Sequence, residues 1–210
     1  MMDFVRRRLD GSYTVDEWGL DPDLVDFVSP AFGLRWRIDV EGVEHVPADG
    51  GAIVVSNRRI GCTEPFVLAR GIRLATGRHV RVVGAPDLAP IGPALRRLGG
   101  VLERPDEVAG LLRAGELVGV ALARSPRRRH HAGPAPAPLL AAAVVLGLPI
   151  VPVALVGREV GRRWRVVAGP VVEPGTDEGP LAAAELADRA RNAVQALLDD
   201  AFPPSFLRAA

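Results

Sequence analysis

The chain has 210 residues, of which 48% are hydrophobic, and a formal net charge of +1. This length is typical of a single domain with a sizeable core, and the near-neutral charge excludes a bulk binder of polyanions. The single cysteine, Cys62, excludes an internal disulfide and suits a reducing compartment.

One apolar stretch has the length of a membrane span. No charged side chain occurs from Ala132 to Gly157, which exceeds the roughly 20 residues that cross a bilayer. Three prolines at 134–138 and the turn at 147–149 interrupt it, so a buried helix followed by a buried strand is favoured over a span. The polar sequence after residue 8 does not resemble a signal peptide, and we therefore expect a cytoplasmic protein.

The elements follow in chain order. Residues 1–34 are predicted to form a helical leader, in which Asp21-Pro22 begins a helix with an apolar stripe. Residues Leu34 to Val40 alternate apolar and charged side chains, as an edge strand does, and Ala52–Val55 is apolar throughout, as a strand buried on both faces is. Further strands are predicted at 80–83, 101–102, 117–122, 150–156 and 164–167, and further helices at 64–76, 91–98, 105–114, 139–146 and 181–201.

Strands and helices alternate over residues 35–210. This alternation predicts an α/β domain with a mixed, largely parallel sheet flanked by helices. Ligands of such sheets bind at the loops that leave the carboxyl ends of strands. The loops of interest are therefore 56–63, 84–90, 123–138 and 157–163.

Several segments together resemble one family nearly from end to end. They are Val15–Pro22, Val40–Ala48, Gly51–Asn57, Leu98–Leu102, Arg113–Val118, Gly147–Val153 and Gly169-Pro170. In their order they resemble the glycerol-3-phosphate and lysophosphatidate acyltransferases. The resemblance implies an acyltransferase-like fold and an acyl group carried by acyl-CoA or acyl-carrier protein as substrate, with no further cofactor.

The sequence departs from that family at its catalytic motif. Members carry Asn-His and, after four further residues, an Asp, which together act as a general base. Here Asn57 is followed by Arg58, and the Asp position holds Thr63, or Glu64 if the register shifts by one. Because a guanidinium stays protonated, it cannot remove a proton from an acceptor hydroxyl. The structural interpretation is an ion pair between an arginine and Glu64 that keeps this loop folded.

Two further arginines are candidates for binding a phosphate. The resemblance places Arg104 at or beside an arginine that holds the acceptor phosphate, and Arg124 follows the strand that precedes the third motif. All 26 basic residues of this chain are arginine, so a solvated surface role is the alternative for both.

The remaining candidates have mostly structural interpretations. Cys62 is interpreted as a small side chain in the 56–63 loop. The alternative is a nucleophile, although no histidine lies near it in the sequence to act as its base. His45 and His79 have no metal-ligand spacing, and no metal site is expected. The basic run Arg127–His131 is either a solvated loop or a contact for anionic headgroups. It has no interleaved aromatic residues, so a nucleic-acid partner is not expected.

Two hypotheses remain. The first is an inactive protein that retains acyl, lysophospholipid or acyl-thioester binding or regulates a partner, with peripheral membrane contact. The second is an active acyltransferase that uses a non-standard base.

Overall fold

Seven strands form one sheet. The computed structural model describes residues 2–58, 63–125, 131–177 and 179–202. The strands are β1 (Arg37–Glu41), β2 (Ala52–Ser56), β3 (Val80–Val83), β4 (Gly100–Val101), β5 (Leu117–Ala121), β6 (Ile150–Gly157) and β7 (Arg163–Ala168). Their order is β1-β7-β6-β2-β5-β3-β4.

The sheet is mixed and largely parallel, which confirms the predicted fold class. β6, β2, β5, β3 and β4 all pair in parallel, and their carboxyl ends share one edge. β7 runs antiparallel to β6, and β1 pairs in parallel with β7 at the outer edge. β2 lies at the centre and all five of its residues are buried, as its apolar sequence predicts.

Seven α-helices accompany the sheet in the described part of the chain. They are α1 (Met2–Leu9), α2 (Pro22–Arg35), α3 (Glu64–Thr76), α4 (Ile91–Arg97), α5 (Pro105–Arg113), α6 (Ala137–Leu146) and α7 (Pro180–Ala201). Proline occupies one of the first two positions of five of them, where its missing N–H has no helical partner. α3 ends at Gly77, whose left-handed backbone (φ 76°) costs glycine little.

The sheet separates two apolar cores. On one face, Val54 and Leu117 pack with Val67 and Ile72 of α3. On the other face, alternate strand residues pack against α5, α6 and α7. Because consecutive side chains of a strand point to opposite faces, each central strand contributes to both cores.

The first strand begins later than the alternation predicts. Leu34 still belongs to α2, whose last turn is closed by the Trp36 N–H donating to the carbonyl of Phe32. β1 therefore starts at Arg37, the first residue that pairs with β7. The division of the chain at residue 34 into leader and domain stays a prediction.

A buried arginine and a partly exposed aspartate anchor the leader to the sheet. The guanidinium of Arg81, on β3, is 1% exposed and contacts the carboxylate of Asp16. Glu116 is the second acid, with its Oε2 3.5 Å from Nε of Arg81. Asp16 also accepts hydrogen bonds from the N–H groups of Trp18 and Leu20. One carboxylate thus folds the leader turn and neutralises the buried cation.

A buried carboxylate starts α2. Asp21 is fully buried and its Oδ1 accepts the N–H of Leu24, as an N-cap does. Arg8 of α1 and Arg97 of α4 lie against its other oxygen. α1, α2 and α4 therefore meet at this one side chain.

None of the helices in the described ranges combines the length and the apolar character required to cross a bilayer.

We expect Asp16→Asn to lower the free energy of unfolding by about 2 kcal/mol, because the buried Arg81 charge keeps Glu116 but loses the acid that it contacts most closely. Urea unfolding followed by circular dichroism measures this loss. Glu41→Gln is the matched control, since it removes the acid of the exposed Arg165–Glu41 pair and should cost about 1 kcal/mol or less. Equal losses in the two variants would contradict an anchoring role for Asp16.

Candidate functional site

A pocket of about 290 Å³ lies at the carboxyl ends of β2, β3 and β5, on the face that α3 covers. Two of the four predicted loops contribute to it, through residues 56–58 and 84–86. The described residues of the other two loops do not line it. The wall is mostly apolar, formed by side chains such as Phe66, Leu68, Val82, Leu95 and Leu98.

Asn57 fixes the backbone at the entrance to the pocket. Its Nδ2–H donates to the carbonyl of Leu155 at 3.1 Å, and its Oδ1 accepts the Leu155 N–H at 2.6 Å. The side-chain amide therefore continues the pairing of β2 with β6 beyond Ser56. Asn57 is 5% exposed, so both bonds are shielded from water.

Arg58 and Glu64 are the charged residues that line the pocket in the described part of the chain. Arg58 is exposed and follows the strand end directly. Glu64 is 4% exposed and is the first residue of α3, where a carboxylate is stabilised by the helix dipole. Arg59, the arginine that the shifted register pairs with Glu64, lies outside the described residues, as does Cys62.

Thr63 has a structural role. It is 7% exposed at the N-cap of α3, and its hydroxyl donates to the carboxylate of Glu159 in the loop between β6 and β7. The contact joins the start of α3 to that loop. Thr63 does not line the pocket, and a hydroxyl there cannot replace the carboxylate of the family motif as a partner for a base.

The structure places the two candidate phosphate ligands outside this pocket. Arg104 precedes α5 and its Nη2 lies 3.1 Å from Oδ2 of Asp87, in a pair with both side chains largely exposed. Arg124 is exposed, three residues beyond β5. The backbone there turns away from α3, since the Ala123 N–H donates to the carbonyl of Pro134, just before α6.

The three described histidines do not line the pocket. His45 ends a short 3-10 helix at Val43–His45, and His131 is exposed before α6. His79 precedes β3, at the opposite edge of the sheet. Burial and the nearby Arg73 and Arg81 charges lower the pKa of His79, which disfavours its charged form. His130 and Arg127–Arg129 lie outside the described residues.

A second cavity, of about 60 Å³, was not predicted from the sequence. It lies beneath α2, and Phe66, Ala69 and Leu98 line both cavities. Val25, Val28 and Phe32 of α2 close it from above, with the Phe32 and Phe66 rings stacked at 5.6 Å. The apolar stripe of α2 indicated that this helix packs against the rest of the domain. Such a stripe does not indicate whether the packing leaves a cavity.

The pocket combines a mostly apolar wall with the exposed cation of Arg58 and the buried carboxylate of Glu64. Among the described residues, no group of three or more His, Cys, Asp or Glu side chains is arranged to hold a metal ion.

We expect Asn57→Leu to destabilise the fold by about 3 kcal/mol, because it leaves the buried N–H and C=O of Leu155 without partners. Asn192→Leu, at an exposed position of α7, should change stability by only about 0.5 kcal/mol. Thermal and urea unfolding of the two variants make the comparison. If the two substitutions cost the same, Asn57 does not hold the strand end.

Comparison with known proteins supports the fold. No family model matches the sequence. An uncharacterized protein of Mycobacterium leprae is 35% identical over 133 residues, which is 56% of this chain and 35% of that protein. An uncharacterized protein of Mycobacterium tuberculosis is 36% identical over 133 residues, again 56% of this chain and 36% of that protein. The match thus spans about a third of the length of these relatives.

The crystal structure of the 1-acyl-sn-glycerophosphate (LPA) acyltransferase PlsC from Thermotoga maritima superposes with a TM-score of 0.65. The sequences are 20% identical, and the superposition covers 87% of this chain and 81% of that one. The acyltransferase-like fold that the sequence resemblance implies is therefore confirmed: the chain shares the fold of this acyltransferase.

Proposed function

We propose that this chain is an acyltransferase-like protein that binds the acyl chain of an acyl-thioester or a lysophospholipid without transferring it. The observation that carries the proposal is the pocket itself: an apolar slot with an arginine at its entrance and no imidazole among its described lining residues.

The apolar wall supplies the affinity. Each methylene moved from water into such a wall contributes about 0.8 kcal/mol. The volume of about 290 Å³ is near the lower end of the usual range for small-molecule sites, roughly 300–1,000 Å³. A single acyl chain suits this pocket better than a bulky ring system.

The charged residue at the entrance, Arg58, favours binding over transfer. Transfer to a hydroxyl needs a group that accepts its proton near neutral pH, and a guanidinium stays protonated. The exposed Arg58 suits the opposite task, since it can pair with a phosphate or carboxylate at the end of the bound chain.

We expect Ala121→Phe to weaken binding of a long-chain acyl-CoA by about ten-fold or more, because the ring occupies the pocket at the end of β5. Isothermal titration calorimetry measures the affinity. Ala184→Phe makes the same change at an exposed site on α7 and should leave binding unaltered. Equal affinity of both variants and the unmodified chain would place the acyl chain elsewhere.

Glu64 supports a second candidate, an active acyltransferase with a carboxylate base. Its buried side chain lines the same pocket. In that reaction Glu64 takes the proton of the acceptor hydroxyl, whose oxygen attacks the thioester carbonyl. The C–O bond forms, the C–S bond breaks, and the departing thiolate takes up the proton.

Transfer of a labelled acyl group from acyl-CoA to lysophosphatidate separates the two candidates. We expect no transfer above background by the unmodified chain. Transfer that Glu64→Gln abolishes, and that Glu185→Gln on the exposed face of α7 retains, would instead assign the base to Glu64 and overturn the inactive interpretation. Transfer that survives both substitutions would overturn both candidates and point to a base elsewhere.

A further inference from the structure

The smaller cavity, beneath α2, is lined by basic as well as apolar side chains. Its basic residues are Arg70 and Arg73 of α3 and His79, which precedes β3. Most of the other residues around it are apolar, and they include Val28 of α2 and Phe66 of α3. A cavity that combines cations with an apolar wall fits a ligand that has an anionic group and an alkyl part.

Arg70 is the cation best placed to hold an anion. Its Nη1 donates to the carbonyl of Ser29, on α2, at 2.6 Å and to the Ser29 hydroxyl, and both acceptors are uncharged. A Cβ at Gly33 would lie 2.8 Å from its Nη2, so the guanidinium occupies the space that this glycine leaves under α2. Its Nε is buried and has no hydrogen-bond partner in the described part of the chain. Because a buried donor without an acceptor is costly, an anion that supplies the acceptor forms a strong, charge-assisted bond.

The cations that line the cavity outnumber the acids that pair with them. Nη2 of Arg73 lies 3.5 Å from Oδ1 of Asp26, on α2. Among the described residues, no carboxylate pairs with Arg70. When His79 is neutral, the two arginines and Asp26 therefore leave one positive charge, which a monovalent anion would balance.

His79 indicates the same positive potential. Burial and the charges of Arg73 and Arg81 lower its pKa, and the acids Asp26 and Glu116 offset this only in part. These charges favour the neutral imidazole. An anion bound in the cavity would act in the opposite direction and raise the pKa of His79.

The volume of the cavity limits the size of its ligand. A water molecule needs about 10–15 Å³ of such space, so the cavity of about 60 Å³ holds about four to six non-hydrogen atoms. This is the size range from acetate to butyrate. Inorganic phosphate is of similar size, but it has no alkyl part to cover Val28 and Phe66.

We propose that the cavity beneath α2 binds a short-chain carboxylate, with its anionic group on Arg70 and its alkyl part against Val28 and Phe66. Because Arg70 belongs to α3 and donates to Ser29 of α2, the ligand joins these two helices. It thereby stabilises α2, which has no buried residue of its own. The inference does not depend on acyl binding, because its ligand occupies the smaller cavity alone.

Thermal unfolding of the full chain at constant ionic strength tests the proposal. We expect propionate, at about ten times its dissociation constant, to raise the Tm by about 4 °C, whereas sodium chloride and the neutral isostere propionamide should not. Isothermal titration calorimetry should give a dissociation constant of about 1 mM, which a ligand of about five non-hydrogen atoms can reach. A rise with inorganic phosphate that equals or exceeds the rise with propionate would assign the site to anions in general and overturn the proposal.

Two substitutions locate the ligand. Arg70→Gln removes the charge and should weaken propionate binding by about ten-fold or more, and Val28→Phe should do the same by filling the cavity. The matched controls are Arg113→Gln and Val145→Phe, at exposed positions of α5 and α6, which should bind propionate as the unmodified chain does. Propionate binding that survives either Arg70→Gln or Val28→Phe overturns the proposal.

The imidazole of His79 provides a readout in the unmodified chain, which serves if a cavity variant does not fold. Its ring-proton NMR signal, assigned with His79→Gln, should titrate at a higher pH in propionate than in propionamide. A pKa of His79 that propionate leaves unchanged contradicts the proposal. None of these measurements uses acyl-CoA, so the proposed acyl binding is tested separately.

Discussion

The pocket depends on how the carboxyl end of β2 is held. β2 pairs on both sides, with β5 and β6, and Asn57 extends the second pairing by one step through its side-chain amide. Because the amide replaces backbone pairing, the chain is free to leave the sheet directly after it. Arg58 therefore reaches the pocket entrance while α3 begins a few residues later with Glu64 inside. Without the two hydrogen bonds of Asn57, Arg58 and Glu64 would be able to shift relative to the apolar wall.

Most of the fold follows from local sequence signals. Buried strands are short apolar runs, most helices start at proline and two end at glycine, and these signals predicted nearly every element to within a few residues. Leu34 was misassigned because alternation looks the same whether or not the preceding helix has ended. The parallel register, by contrast, joins residues distant in sequence, so alternation of elements predicted the type of sheet but not the order of its strands.

The candidate site was predictable in location and only partly in composition. Arg58 and Glu64 line the pocket, whereas Arg104 and Arg124 lie outside it although they also follow strands. The position of a residue along a strand indicates at which edge of the sheet it lies. The face of the sheet on which it lies depends on the helix to which the chain continues. The chain leaves β5 towards α6, on the face opposite α3, and Arg124 goes with it. Long-range ion pairs could not be predicted from the sequence either. Because the chain has 26 arginines, nothing in the sequence identifies Arg81 as the partner of Asp16.

α2 lies between the smaller cavity and the solvent. Its inner side closes the smaller cavity, which shares Phe66 and Leu98 with the larger one, and its outer side carries the exposed Leu34. The buried carboxylate of Asp21 fixes where the helix begins, and the hydrogen bonds of Arg35 and Arg162 fix where it ends. The helix is thus held at both ends and has no buried residue between them. Its position is therefore set by contacts at its two ends and by the cavity that it closes, rather than by a buried apolar side chain.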